Sequence, residues 1–267
     1  MNDFEKLSVV IRYEFLKHIR RARLYIILGI ALLAEALILI LVPTLMTGGY
    51  PSSVKIMAAL LTVGANLSAL GAVFFAGDAI AGEYESKTGF LLFTNPIKKN
   101  VLWIGKYLAG FFAVTLLMIF TYIIIAVSLL IIYHQIPWQM FESFGLALFY
   151  AAAVLSITFL FSAISRGSMG ATIMTLLFIW VVSNIVESVL ALTGYPYLFT
   201  LTAGGNSIAT VYGSLQDFIG GFGGMGNGGT GANFNVPTVG MAAWGLAIYF
   251  VGGFVASIFV ARRRQLS

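Results

Sequence analysis

Long apolar blocks alternate with short polar segments along this chain. Each block has the twenty or so residues needed to cross about 30 Å of hydrocarbon as a helix rising about 1.5 Å per residue. The blocks fall at 24–46, 55–77, 102–133, 144–164, 171–193 and 238–261. This pattern predicts an all-α integral membrane protein with six transmembrane helices, residues 1–267 forming a single transmembrane domain. The third block is long enough to begin outside the bilayer. Residues 3–22 read differently. Phe4, Leu7, Ile11, Phe15 and Ile19 recur every three or four positions, while Lys6, Lys17, Arg20 and Arg21 lie mostly elsewhere on the wheel. An apolar stripe with a basic flank predicts an N-terminal amphipathic helix lying in the membrane interface. The plainer reading is a basic flank with chance periodicity.

Two connections stand apart from the short turns. Residues 78–101 are polar, and residues 194–236 form a weakly polar stretch with eight glycines between Gly220 and Gly231. Within the second, Ile208, Val211, Tyr212, Leu215, Phe218 and Ile219 form a helical stripe without proline. A free loop needs no such apolar surface, so Ser207–Ile219 is predicted to be a short helix followed by a glycine-rich tether.

Composition agrees with lipid as the solvent. Hydrophobic residues make up 60% and charged residues 9%, against about 25% charged in a soluble domain. Every lysine and arginine except Lys55 falls on one side of a six-span model: before the first span, around the 78–101 segment, at Arg166, and in the Arg262–Arg264 triplet. Positive charge stays cytoplasmic, so both termini are expected in the cytoplasm and the protein in the cell membrane. This placement reads the net charge of +5 as topology and not as nucleic-acid binding. No cleavable signal peptide is visible.

The candidate chemistry is sparse. There is no cysteine, which excludes thiol catalysis and disulfides. The two histidines, His18 and His134, fall on opposite sides of the predicted membrane, which excludes a paired-histidine metal site. No catalytic or metal-ligating set emerges. Gly82-Glu83-Tyr84-Glu85-Ser86-Lys87-Thr88 is one residue short of a phosphate loop and has Ser86 where a glycine is needed. Intramembrane acids are few: Glu35 in the first span, and Glu187 in the fifth with Asn184 one turn before it. A central acid costs ~3 kcal/mol, whereas each of the first span's fourteen Leu, Ile and Val residues returns ~0.3–0.6 kcal/mol. The span therefore inserts. Glu35, Asn184 and Glu187 become candidate pathway residues, the plainer readings being a bond to a neighbouring helix for Glu35 and a headgroup position for Glu187. Gly64, Ser68, Ala72 and Ala76 make a small-residue ridge at four-residue spacing, suited to close helix packing within the subunit or across a homodimer.

The most informative stretch runs from Gly77 to Lys99. Ala81-Gly82-Glu83, Glu85, Leu91-Leu92, Pro96 and Lys98-Lys99 resemble the segment after the second span in ABC-2 type permeases, the membrane subunits of one class of ATP-binding-cassette transporter. Lys87-Thr88-Gly89 departs from that family's usual order of glycine and threonine. Read as residues, Pro96 disfavours helix at Asn95 and sets a turn. Glu83 and Glu85 beside Phe90, Leu91 and Leu92 offer an exposed knob with charged and apolar faces. The resemblance implies that this knob is a coupling helix that docks on a separate cytoplasmic ATPase, with Gly82, Glu83, Glu85, Phe90, Leu91, Leu92 and Pro96 as its working residues. It also implies pairing with a second copy of the chain or a related permease, ATP and Mg on the partner with no cofactor in this chain, no enzymatic activity here, and transport outward. Short outer helices between spans five and six would cap the cavity. The rival expectations are an ion- or proton-coupled transporter or channel using Glu35, and a structural membrane anchor.

Overall fold

The computed structural model describes residues 2–45, 49–86, 98–193, 195, 197, 199–213 and 239–263, with backbone alone at 64, 65, 67, 68 and 191. These residues form helices and no strands. α1 spans Asp3–Arg20 and opens where the Asn2 N–H donates to the Glu5 carboxylate at 3.1 Å. It stops because Arg21 is extended, and α2 (Ala22–Leu45) starts at the next residue. Pro43 sits inside the last turn of α2 and cannot donate to the Leu39 carbonyl four residues back. The Tyr50 hydroxyl donates to that carbonyl instead, at 3.0 Å.

α3 (Val54–Ala76) leads to a turn and the short α4 (Ala81–Glu85). α5 runs from Lys99 to Tyr133 and is closed by His134 in the left-handed conformation at φ 56°. α6 is Gln139–Ile164. α7 (Ser168–Leu177) continues through a π-helical turn, Phe178–Val182, into α8 (Ser183–Thr193). α9 is Leu201–Thr210, capped by the Thr200 hydroxyl accepting from the Ala203 N–H, and α10 is Val239–Arg263. α2, α5, α6, the α7–α8 run to Leu190, and α10 are each long and apolar enough to cross a membrane. α3 has 23 residues, and its Val54–Val63 part is a further apolar helix.

α6 is the central helix, buried along most of its length with α10 laid against it. α3 is wedged among α2, α5 and α6, and α1 packs along α5. Close approach depends on absent side chains. A Cβ at Gly71 would fall 2.8 Å from Leu117, one at Gly105 would fall 2.6 Å from Val10, and one at Gly204 would fall 2.5 Å from Leu246. On the small-residue ridge Ala72 and Ala76 are buried inside the subunit. Gly64 and Ser68 lie on the same helix, their side chains outside the described set.

Two expectations need correction. The outer helix begins at Leu201, not Ser207, and ends at Thr210, where Val211 and Tyr212 form a turn; the rest of the expected helix and the glycine tract lie outside the described residues. The packed side of α1 includes most of the stripe read from the sequence, with Leu7, Ile11, Phe15 and Ile19 half-buried, but its most buried positions are polar. Phe4 is exposed, whereas Glu14 and His18 are buried. Val9, Tyr13 and Leu16 are exposed together with Ser8, Arg12 and Arg20, giving α1 an outer face of mixed apolar and basic side chains and a partly polar inner one.

Candidate functional site

At the basic end of the bundle Glu14, Lys17, Glu83 and Lys106 form one buried charge network. Lys106 on α5 is 3% exposed. Its ammonium donates to Glu14 of α1 at 2.5 Å and to Glu83 of α4 at 2.7 Å. Lys17 lies 3.3 Å from Glu14 and 4.0 Å from Glu83 on the outer side of the pair. An isolated buried charge is very costly, but here two acids face two bases. Burial pushes the Glu14 carboxyl up, yet Lys106 and then Lys17 outweigh it and hold the carboxyl below its ordinary range. Beside it the His18 ring packs on Phe75, centroids 5.1 Å apart. Burial pushes His18 down to about 4, against opposing pulls from Asp78 and Glu14.

The segment after α3 is fastened on every side. Ser162 of α6 is fully buried, and its hydroxyl donates to the Gly77 carbonyl at 2.8 Å while accepting from the Ile80 and Ala81 N–H groups at 3.1 and 3.0 Å. One hydroxyl thereby uses its donor and both acceptor sites. Gly77 lets the turn approach α7, because a Cβ there would fall 2.3 Å from the Thr172 hydroxyl. Asp78 pairs with Arg21, and with Arg23 at 3.1 Å. Glu85 is exposed, but accepts from the Ser168 N–H at 2.9 Å and its hydroxyl at 2.7 Å, capping α7. Those two bonds, the backbone one first, lower the Glu85 carboxyl.

This geometry corrects the reading of Glu83 as part of an exposed knob, whereas Glu85 is exposed as expected. Glu83 is 7% exposed and faces inward. Local sequence could not reveal this, because Glu14 lies 92 residues from Lys106 in the chain. The available signals were a lone lysine inside an apolar block and an acid among the apolar positions of α1. Gly82 is in α4, half-buried with little against it. Phe90, Leu91, Leu92 and Pro96 lie outside the described residues.

A second feature lies farther along the bundle. A cavity of about 320 Å³ opens among α3, α6, the π turn, α8 and α9, lined by Asn66, Tyr150, Trp180, Asn184, Thr202 and Asn206 among others. Asn184 lines it while donating to the Trp180 carbonyl at 3.0 Å and the Ile179 carbonyl at 3.4 Å, on the π turn of its own helix. The Thr202 hydroxyl is buried without a partner among the described residues. Glu187, half-buried on α8, has one carboxyl oxygen without a hydrogen-bond partner among the described residues. Glu35 does not line the cavity; it sits on α2. The structure therefore separates the three acid and amide candidates into two places. Among the described residues no cluster of His, Asp or Glu could hold a metal.

A family model described as ABC-2 family transporter protein matches residues 10–182, from within α1 to the π turn. No curated protein matches the chain.

Proposed function

The chain belongs to the ABC-2 transporter family, and on that footing we propose that it is the permease subunit of an ATP-driven exporter, paired with a second membrane subunit and powered by separate cytoplasmic ATPases. Its apolar helices and its family make it a multi-pass membrane protein. We read α3 as the sixth span, the basic end as cytoplasmic by the positive-inside rule, and the outer face of α1, with its mixed apolar and basic side chains, as seated among lipid headgroups. ATP and Mg belong to the partner, since the chain carries no nucleotide motif.

The observation that carries the reading is the bracing of residues 77–86. A segment held by the α1–α2 junction, α5, α6 and α7 through Asp78, Glu83, Ser162 and Glu85 suits a part that receives a push and passes it on. In this reading Glu83 does not touch the ATPase. It transmits through Lys106 to Glu14, and so links the coupling segment to α1. The cavity between α3 and α8 is one wall of the pathway, with α9 as its outer lid. The rival transporter or channel reading keeps only Glu35, which lies apart from that cavity.

The test is purification of the tagged chain from its native host, followed by ATP hydrolysis with the permease present and absent. An ATP-hydrolysing subunit should accompany the chain and be stimulated by it; its absence would sink the assignment. Lys106→Met leaves two buried carboxylates facing each other, at a cost of about 3–5 kcal/mol, and should abolish stimulation. The charge-neutral triple variant Glu14→Gln, Glu83→Gln, Lys106→Met should restore folding but not full stimulation. Wild-type stimulation in a folded triple variant would remove the network from the coupling path.

A further inference from the structure

α2 touches the bundle along one narrow stripe. Leu24, Ile27, Ala31 and Glu35 are its buried positions, spaced three or four apart, while Ile26, Ile30, Leu33, Leu37 and Ile40 around them are exposed. Glu35 is the polar member of that seam and is 1% exposed. Neither of its carboxyl oxygens meets a hydrogen-bond partner among the described residues. The described acids of the bundle's basic end, Asp3, Glu5, Glu14, Asp78, Glu83 and Glu85, each have an ionic or hydrogen-bonded partner, so the bare carboxyl at 35, inside the α2 span, stands out.

The titratable groups on the elements packed against α2 all face elsewhere. On α1, Glu14, Lys17 and His18 belong to the basic-end network. On α3, Lys55 is exposed at the opposite end. On α5, Lys106 is engaged by Glu14 and Glu83. Tyr107 donates toward α6, at 3.0 Å from the Ala152 carbonyl; Tyr122 is 2.8 Å from Ser143, and Tyr133 donates to the Pro51 carbonyl. No cation is at hand to neutralise a carboxylate at 35, and an ionised group in such surroundings is not tolerated, whereas a carboxylic acid is.

We propose that Glu35 is a proton-binding site built into the α2 seam, neutral while α2 is docked and ionised when α2 separates from α3 and α5. On separation the carboxyl passes its proton to entering water, leaving a carboxylate and a hydrated proton; redocking takes one proton back. Movement can reach the seam, because α2 follows α1 after the single extended residue Arg21. The site stands on the geometry of α2 and does not depend on the ATPase reading.

Two measurements on the full-length protein in liposomes decide it. Infrared spectra of wild type minus Glu35→Gln at neutral pH should show the carbonyl stretch of a protonated carboxylic acid, shifted by deuteration. A difference spectrum carrying only ionised-carboxylate bands would overturn the proposal. The chain has no cysteine, so Ala31→Cys, fully buried one turn from Glu35, can report seam opening by maleimide labelling. Labelling of Ala31→Cys relative to Ala31→Cys with Glu35→Gln cancels the thiol's own titration. That ratio should start near one and rise severalfold as alkaline pH removes the proton. A ratio that stays flat, while the protein remains folded by circular dichroism, would also overturn it.

Discussion

His18 shows how one side chain ties the fold to pH. It is buried against Phe75 with its pKa pushed down to about 4, from an ordinary 6.5. Between those values the unfolded chain binds a proton that the folded chain refuses, so stability rises with pH across the window. Stability is therefore full above 6.5 and falls as pH drops toward 4, by roughly 3 kcal/mol if the whole shift is realised. Glu14 titrates in the same sense, its lowered carboxyl losing its contribution at more acid pH. A wild-type minus His18→Phe comparison of thermal midpoints in detergent removes that shared background. The wild type should lose midpoint relative to the variant between pH 6.5 and 4; parallel curves would mean that His18 is not held neutral. The sequence offered His18 only as half of an excluded metal pair and did not single out Glu14. A histidine and a glutamate in a basic, amphipathic stretch read as solvated, and only the packing of α1 on α5 turns them inward.

Among the elements, those defined by long apolar blocks were legible because hydrocarbon thickness fixes their length and leaves few alternatives. What the sequence hid was contact across long separations. The stripe Phe4, Leu7, Ile11, Phe15, Ile19 describes a generic amphipathic face, yet α1 is turned so that Glu14 meets Lys106. The outer helix was shifted because its N-terminus is set by the Thr200 cap, eight residues before the apolar stripe that attracted attention. The four-residue ridge on α3 omitted Gly71, which packs on Leu117. Gly105 was likewise not singled out, although it admits α1 to α5: a Cβ there would fall 2.6 Å from Val10 and 3.5 Å from Leu7. Gly105→Leu should push α1 away, costing about 1–3 kcal/mol as overpacking does, and should free the basic end of the chain to protease near Arg20 and Arg21. Gly105→Ala should do the same more weakly. An unchanged cleavage pattern for Gly105→Leu would show that α1 is held by something other than its fit to α5.

At the scale of the molecule, the helices are unequally covered. α6 is enclosed by its neighbours, whereas the α7–α8 run is the least buried of the five long apolar helices. Lipid could cover Met174, Leu177, Val181 and Val189, which are exposed there, but the same run also presents Asn184 and Ser188 outward, with half-buried Glu187 between them. Polar side chains facing hydrocarbon are rare, and they ordinarily face a protein neighbour or a wet cavity. α2 offers the contrast, since its exposed positions Ile26, Leu33 and Ile40 are wholly apolar and need nothing but lipid. The second membrane subunit is therefore expected on α7–α8, beside the cavity mouth at Trp180 and Asn184, where two half-pathways would meet. Since the native chain has no cysteine, single substitutions can map this directly in native membranes. Val181→Cys and Ser188→Cys should give a cross-linked dimer with a short bis-maleimide, and Leu33→Cys and Ile40→Cys should not. Mixing differently tagged copies tells a homodimer from a pair with a related permease, because only the homodimer yields a product carrying both tags. Equal cross-linking from α2 and α7–α8 would mean random collision in the bilayer, and cross-linking from α2 alone would move the interface to the opposite flank and leave the cavity facing lipid.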